Sequence, residues 1–260
     1  MDEREALLAA IREDAEDDTA RLVFADWLQE QGDEARAEFV RVQVRIARLA
    51  ENDPEQVNLL AREAELLANH SVGWVGEYPI NALIFRRGFL DTLNLARGTF
   101  PGADDRYPVA VGDAGISELT ASWHLAGIAT LNLKNCGISA VGVAALAACK
   151  HLANLTTLDL SYNQFGNTGV AKIIASPYLT KLVSLRLVHC AIDDSGATAL
   201  ASAPSLANLT TLLLRRDWSG GFASEVGHGV YVSRMALEVN RISDGAWATL
   251  KARFGDRVRR

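Results

Sequence analysis

The chain has 260 residues, of which 49% are hydrophobic and 22% are charged, and its formal net charge is −6. This composition excludes a wholly disordered or collagen-like protein, and the acidic balance argues against a general nucleic-acid-binding protein. No stretch reaches the roughly 18 consecutive apolar residues of a membrane-spanning helix, and the opening MDEREALLAA lacks the basic start and apolar core of a secretory signal. We therefore expect a cytoplasmic protein with no membrane role.

Four helices are predicted in the first 80 residues, and each has a residue suited to its cap or first turn. These residues are Asp2, Asp18 or Thr19, Asp33 and Pro54. The first helix is expected over about residues 3–14 and the second ends at Gly32. The third and fourth comprise EARAEFVRVQVRIARLAE and EQVNLLAREAELLANH.

These helices can bury a small core, which predicts a helical domain over residues 1–80. The expected core residues are Leu7, Leu8, Ile11, Leu22, Phe24, Trp27 and Leu28, and one face of the third helix carries Phe39, Val42, Ile46 and Leu49. Residues 1–80 have a net charge of −11, whereas residues 81–260 have +5. The difference favours two domains with different surfaces and would allow one to dock on the other, although solvated Glu and Arg on helices would also explain it.

Residues 81–127 are expected to form a hairpin followed by an irregular connector that caps the second half of the chain. The stretch ALIFRRGFLDTLNL predicts two short strands around Arg87 and Gly88. The second strand contains leucines at L-x-x-L-x-L spacing, which are Leu90, Leu93 and Leu95. The hairpin can therefore begin a sheet, before the glycine-rich segment at 98–117.

The second half of the chain contains a repeat with a period of 27 residues. The segments IATLNLKNCGI, LTTLDLSYNQF and LVSLRLVHCAI start at residues 128, 155 and 182 and fit L-x-x-L-x-L-x-x-N/C-x-L. A fourth start, LTTLLLRRD, falls at 209, and a fifth, VSRMALEVNRI, falls at 232. This pattern is that of a leucine-rich repeat. It predicts an α/β fold in which residues 128–260 form a short solenoid, with a concave parallel sheet and convex helices.

Each repeat should direct both leucines of L-x-L to the interior from one face of a short strand. The following Asn or Cys should turn inward and hydrogen-bond backbone groups. The residues at this position are Cys136, Asn163, Cys190, Asp217 and Asn240. The runs VAALAACKHL, VAKIIASPYL and ATALASAPSL predict convex helices, and GAWATLKARFGDRVRR predicts a capping helix with a basic tail.

The fourth repeat departs from the pattern after Asp217, where the glycine-rich WSGGFASEVGHGVYVSR stands in place of a convex helix. The segment at 217–231 is either a binding loop or a decayed repeat near the C-terminal cap. Its residues suited to binding are Trp218, Phe222, His228 and Tyr231.

The N-terminal part resembles the bacterial repeat-companion domain over about residues 3–95. The stretches that carry the resemblance are TARLVFADWLQEQGDEARAEFVRVQ, AREAELLANHSVGWVG and RRGFLDTLNL. That domain is found before leucine-rich repeats and other repeat arrays, and the repeats of this chain are similar to the ribonuclease-inhibitor-like class in length and convex helices. The resemblance implies this architecture and a binding role, and it implies no activity and no catalytic residues.

The sequence contains no recognisable catalytic or metal-binding motif. Cys136, Cys149 and Cys190 are an odd, low count without zinc spacing, so we expect reduced, buried thiols and no cofactor or metal. Cys190 neighbours His189, but the repeat register turns the cysteine inward and the histidine outward, away from a nucleophile–base arrangement. An enzyme-associated effector with its chemistry in the glycine-rich loop is the least favoured alternative.

The variable positions that flank L-x-L point to the concave face, which solenoids commonly use for binding. The expected binding residues there are Asn132, Lys134, Asp159, Tyr162, Arg186, His189, Arg215, Arg216 and Arg234. Because Arg and Tyr are enriched at binding hot spots, the sequence predicts a non-enzymatic module that binds an acidic or mixed-charge protein partner. The alternatives are a merely solvated face, and an autoinhibited protein whose acidic N-terminal domain covers the repeats.

Overall fold

Four helices begin the fold, as predicted, in a computed structural model that describes residues 2–14, 17–75, 82–97, 111–214, 240–255 and 258–259. They are α1 (Glu3–Glu13), α2 (Asp18–Glu30), α3 (Glu34–Arg48) and α4 (Glu55–Val75). Asp33 caps α3 as expected. The cap of α2 is Asp17 rather than Asp18 or Thr19, because the Asp17 carboxylate accepts a hydrogen bond from the Thr19 backbone N–H at 2.8 Å. None of the described helices combines the length and apolar character needed to cross a membrane.

The helices share their core with the segment that follows them. Among the expected core residues, Leu8, Ile11, Phe24 and Leu28 are buried, and Leu7, Leu22 and Trp27 are half-buried. The Phe24 ring lies 5.5 Å from the ring of Phe89 and 5.6 Å from the ring of Trp123. Both of these partners lie beyond residue 80, so the helices bury apolar surface against the start of the sheet.

One sheet of seven strands runs through the described part of the chain, and the strands follow one another in sequence order. They are β1 (Leu83–Arg86), β2 (Phe89–Asn94), β3 (Thr130–Asn132), β4 (Thr157–Asp159), β5 (Ser184–Arg186), β6 (Thr211–Leu213) and β7 (Val258–Arg259). The β1–β2 pair is antiparallel and every later pair is parallel. The leucines in register across the sheet are Leu93, Leu131, Leu158, Leu185 and Leu212, and all are buried. The predicted packing of L-x-L is thus confirmed, as is the start of the sheet at the hairpin.

The turn of the hairpin docks on α3. Gly88 has a φ of +83°, and a Cβ atom at this position would lie 2.7 Å from Val40. The Gly88 N–H donates to the side-chain oxygen of Gln43 at 2.6 Å, and the Gly88 carbonyl accepts from Arg36 at 2.7 Å. Glycine alone accommodates the positive φ together with such a close approach, so this residue fixes how the helices meet the sheet.

The inward positions of the repeats form a hydrogen-bonded column through the core. The side-chain oxygen of Asn163 accepts from the backbone N–H groups of Cys136 at 3.1 Å and Ile138 at 3.0 Å. Its amide nitrogen donates to the carbonyls of Leu133 and Leu160, both at 2.9 Å. Asn163 is only 1% exposed, so it pairs backbone groups that water cannot reach, as predicted.

Asn240 occupies the fourth inward position. Its side-chain oxygen accepts from the backbone N–H groups of Cys190 at 2.9 Å and Ile192 at 3.0 Å, the same arrangement that Asn163 makes two repeats earlier. The sequence pattern assigned Asn240 to a fifth repeat starting at 232, with Asp217 as the fourth inward residue. The structure corrects this register: Asn240 lies beside the third repeat, residues 240–254 complete the fourth, and Asp217 lies outside the described residues.

Helices line the convex side. They are α5 (Gly112–Ala121), α6 (Ala140–Ala148), α7 (Gly166–Ile174), α8 (Asp194–Ser202) and α9 (Asp244–Phe254). The last four lie at the predicted places, whereas α5 begins inside the segment expected to be irregular. Asp113 of α5 accepts hydrogen bonds from the backbone N–H groups of Ser139 and Gly142 at the start of α6. Strand β2 and helix α5 therefore form a further coil ahead of the first predicted repeat.

Helix α1 touches the solenoid at the edge where the strands begin. The Glu5 carboxylate lies 2.9 Å from the ammonium of Lys150 and 2.6 Å from the guanidinium of Arg12. Arg12 in turn lies 3.5 Å from the ring nitrogen Nδ1 of His151. Lys150 and His151 belong to the 3-10 turn that precedes β4, so these contacts of α1 lie beside the sheet and not on its concave face.

Candidate functional site

The concave face is formed by the residues that alternate with the buried leucines along each strand. The first column across the sheet is hydroxyl-bearing and comprises Thr92, Thr130, Thr157, Ser184 and Thr211. The second column comprises Asn94, Asn132, Asp159, Arg186 and Leu213. Three predicted site residues therefore lie side by side on β3, β4 and β5. The predicted site missed Thr92 and Asn94, which the leucine spacing of the hairpin strand could have revealed.

Asp159 and Arg186 form an ion pair on this face, with 3.8 Å between guanidinium and carboxylate. Asp159 is only 8% exposed, and its carboxylate also accepts from the backbone N–H of Ser161 at 2.9 Å. The carboxylate is therefore largely withdrawn from the surface, contrary to the expectation that it faces a partner. The Arg186 side chain is 51% exposed. The guanidinium can therefore meet an anion of a partner from its exposed side while it stays beside Asp159.

A second group of side chains lies at the edge where β3, β4 and β5 end. We call the residues 134–135, 161–162 and 188–189 at this edge the rim. The rings of Tyr162 and His189 stack with 4.8 Å between their centroids. The ammonium of Lys134 lies 5.1 Å from the centre of the Tyr162 ring, within reach of a cation–π interaction. All three side chains are half-buried.

The rim is built on three equivalent turns of the backbone. Asn135, Tyr162 and His189 have φ values of +56°, +62° and +54°. Positive φ is uncommon for residues other than glycine, and its recurrence at one repeat position shows that the turn belongs to the solenoid. The rim side chains are consequently presented at equivalent places on adjacent coils.

Asn132 has a structural role that competes with binding. Its side-chain oxygen accepts from the backbone N–H of Lys134 at 3.2 Å, a local turn that positions the chain entering the rim. Asn94 makes the same contact with Ala96 on β2. The amide oxygen of Asn132 is thus partly engaged, and its amide nitrogen is the group left to offer a ligand.

The remaining predicted binding residues lie outside the described residues. They are Arg215, Arg216 and Arg234 of the expected concave face, and Trp218, Phe222, His228 and Tyr231 of the expected loop. The arginine cluster inferred from the sequence therefore stays a prediction. The structure brings together the six that it describes, in two adjoining groups: Asn132, Asp159 and Arg186 on the strands, and Lys134, Tyr162 and His189 at the rim.

The thiols offer no activated nucleophile. Burial raises the pKa of Cys136 to about 12 and also raises the pKa values of Cys149 and Cys190. Cys190 directs its thiol to the carbonyl of Leu160 at 3.2 Å, whereas His189 stacks on Tyr162. Within the described ranges, no group of three or more His, Cys, Asp and Glu residues is arranged to hold a metal ion. What the site offers is non-covalent: cations, ring faces, hydroxyls and an amide.

Comparison with known families identifies the repeated part of the chain. Residues 129–147, 151–173 and 178–201 match a family model described as Leucine Rich repeat. A search of curated proteins found no match. The matched segments coincide with the first three predicted repeats and with β3, α6, α7 and α8 of the structure. The chain therefore contains leucine-rich repeats, which are generally protein-interaction modules.

Proposed function

We propose that this chain is a non-enzymatic binding protein that holds a protein partner on the concave face of its repeats. The observation that carries the proposal is the pairing of an exposed arginine with a cationic and aromatic rim on one face. Arg186 is exposed while its partner Asp159 is buried, and Lys134 lies over the stacked rings of Tyr162 and His189. Of these residue types, Arg and Tyr are enriched at the energetic centres of protein interfaces.

The partner in this proposal is a cytoplasmic protein with an acidic or mixed-charge surface. Positive side chains lie on the concave face, and the sequence from residue 81 onward has a net charge of +5. Opposite charge on the partner would speed the encounter and orient it. The proposed function requires no cofactor, nucleic acid or membrane.

The domain assignment is part of the same proposal. Residues 1–80 would be a repeat-companion domain, residues 81–127 its connection to the sheet, and residues 128–260 repeats of the ribonuclease-inhibitor-like class. The core shared by Phe24, Phe89 and Trp123 supports a helical domain that caps the first coil. Terminal repeats need such a cap because one side of their core would otherwise meet water.

In the autoinhibited alternative, the acidic helices would cover the repeats until a partner displaces them. The ion pair between Glu5 and Lys150 is the observation in its favour, since it joins the acidic part to the basic part. That pair lies at the edge where the strands begin, away from Arg186 and the rim. Among the described residues, the contact of the acidic helices does not reach the concave face, so binding of a partner there is the better supported proposal.

Site-specific photo-crosslinking in native cytosol tests the proposed function. A photoreactive residue at position 184 would report the concave face, and one at position 141 the convex side, where Val141 is 68% exposed. We expect the same discrete protein adduct from position 184 in replicate samples and none from position 141. Equal labelling from both positions would refute concave binding.

Two variants, each of which removes one positive charge, test whether the adduct depends on the concave face. Arg186→Gln removes a cation from the concave face, and Lys181→Gln removes one from the opposite edge, where its ammonium donates to Asn154. The adduct at position 184 should weaken with Arg186→Gln and persist with Lys181→Gln. Loss of the adduct in both would point to a nonspecific charge effect and would count against the proposal.

A further inference from the structure

The rim differs from the rest of the concave face in charge and in ring content. The tetrapeptides that pass through it, LKNC, LSYN and LVHC, contain no acidic residue. The carboxylate of Asp159, in the adjoining column, is buried and engaged by Ser161 and Arg186. Lys134 therefore faces no competing carboxylate among the rim positions, and its ammonium retains N–H donors for a ligand.

The rim also lies between two places where the repeats are lengthened. Equivalent leucines of β3 and β4 are 27 residues apart, whereas Leu93 of β2 and Leu131 of β3 are 38 apart. Cys190 and its partner Asn240 are separated by 50 residues, whereas Cys136 and Asn163 are separated by 27. The coils that start with β2 and β6 are thus longer than the three coils between them, which start with β3, β4 and β5.

Both lengthened coils keep the common register to the end of their strands. The backbone N–H of Arg97 still bonds the carbonyl of Lys134 at 3.0 Å, and that of Leu187 bonds the carbonyl of Leu213 at 2.9 Å. The extra residues therefore enter after Arg97 and after Leu214, at the edge where strands end. The sequence is thus lengthened on either side of the rim, directly after two strands of the sheet.

We propose that the rim binds an acidic peptide segment of the partner, with Asp or Glu side chains meeting Lys134 and the backbone of the segment lying along Tyr162 and His189. This inference rests on the proposed function and names the chemistry of its partner. Neighbouring strands lie about 4.8 Å apart, so the rim spans roughly 10 Å from β3 to β5, which about three residues of an extended peptide would cover. Arg186 supplies a second positive charge one column away.

Fluorescence anisotropy with a labelled hexaglutamate peptide tests the rim in the full chain. Lys134→Gln removes the charge, and Tyr162→Asn removes the ring while introducing the residue that the equivalent position 135 already carries at positive φ. Lys172→Gln on α7 and Lys181→Gln at the opposite edge are matched controls. Hexaglutamine serves as the uncharged probe, and circular dichroism confirms that each variant is folded.

We expect Lys134→Gln and Tyr162→Asn each to weaken hexaglutamate binding roughly three- to fivefold, as loss of a single partly exposed interaction should. The control variants should bind as the unaltered chain does, added salt should weaken binding, and hexaglutamine should not bind. Hexaglutamate binding that is absent, or that the rim variants leave unchanged, would overturn the assignment of the rim.

The photo-crosslinking result separates the two proposals. An adduct from position 184 that depends on Arg186, together with unaffected peptide binding in the rim variants, would leave concave binding standing and remove the rim. Failure of both assays would remove both proposals. Peptide binding that depends on the rim, without any concave adduct, would support an acidic ligand but not the proposed protein partner.

Discussion

Replacing Asn163 with alanine tests whether the inward column holds the solenoid together. The substitution leaves the backbone N–H groups of Cys136 and Ile138 without their shared acceptor, and it removes the donor to two carbonyls. A buried donor left unpaired costs about 1–3 kcal/mol. With two orphaned donors at a site that is 1% exposed, we expect the free energy of unfolding to fall by about 3–5 kcal/mol. The corresponding fall in melting temperature is roughly 6–15 °C for a chain of this size.

Urea denaturation followed by circular dichroism measures this loss, and two further variants show whether hydrogen bonds cause it. Asn208→Ala removes an exposed amide that donates to the carbonyl of Thr180, and it should cost less than about 1 kcal/mol. The loss of unfolding free energy caused by Asn163→Cys should lie between the losses caused by the two alanine variants. A thiol can donate to a carbonyl, but it cannot replace the acceptor of both N–H groups. Equal losses for Asn163→Ala and Asn208→Ala would refute the reasoning.

Three further predictions concern the hairpin turn, a buried histidine and the thiols. Gly88→Ala should destabilise the chain by about 2–4 kcal/mol in the same assay, because Gly88 has positive φ and a Cβ atom there would meet Val40. As a control, Gly73→Ala, in open space on α4, should raise stability by up to about 1 kcal/mol. Burial lowers the pKa of His124 to about 3 from 6.5, so below pH 6.5 the unfolded chain binds more protons and stability should fall by about 1 kcal/mol per pH unit. His124→Gln should flatten that slope, and an unchanged slope would contradict the assignment. The three buried thiols should react with a thiol reagent only on unfolding, and fast labelling of the native protein at neutral pH would count against this.

The repeated core could be predicted from the sequence because its constraint is local and periodic. Each leucine of L-x-L meets its own counterpart one period away, as Leu131 meets Leu158, so the spacing in the sequence is the spacing in the core. The period fails where residues are inserted into a coil. Helix α5 and the position of Asn240 were missed for this reason, since a partner 50 residues distant leaves no mark on a 27-residue pattern.

The sequence predicts strand positions for the candidate residues, but it does not predict the contacts that their side chains make. Strand alternation assigns Lys134 and Arg186 to the side opposite the leucines, whereas Tyr162 is in phase with Leu160 and alternation alone does not assign it to that side. Burial of Asp159 depends on its pairing with a side chain from the next strand, which alternation does not encode. Tyr162 and His189 stack on each other and both have positive φ, a conformation that the sequence does not predict for a tyrosine.

The shared aromatic core bears on how the two parts of the chain can work together. Phe24 of α2 meets Phe89 of β2 and Trp123 beside the first repeat, at ring distances of 5.5 and 5.6 Å. Aromatic side chains bury about 150–250 Å² each, so separating the helices from the sheet would expose a large apolar surface. A partner that acted by displacing the helices would have to offset that loss as well as bind the concave face. If the helices stay in place as a cap, the partner only has to bind the concave face. Arg186 and the rim are then accessible in the same conformation that the shared core stabilises.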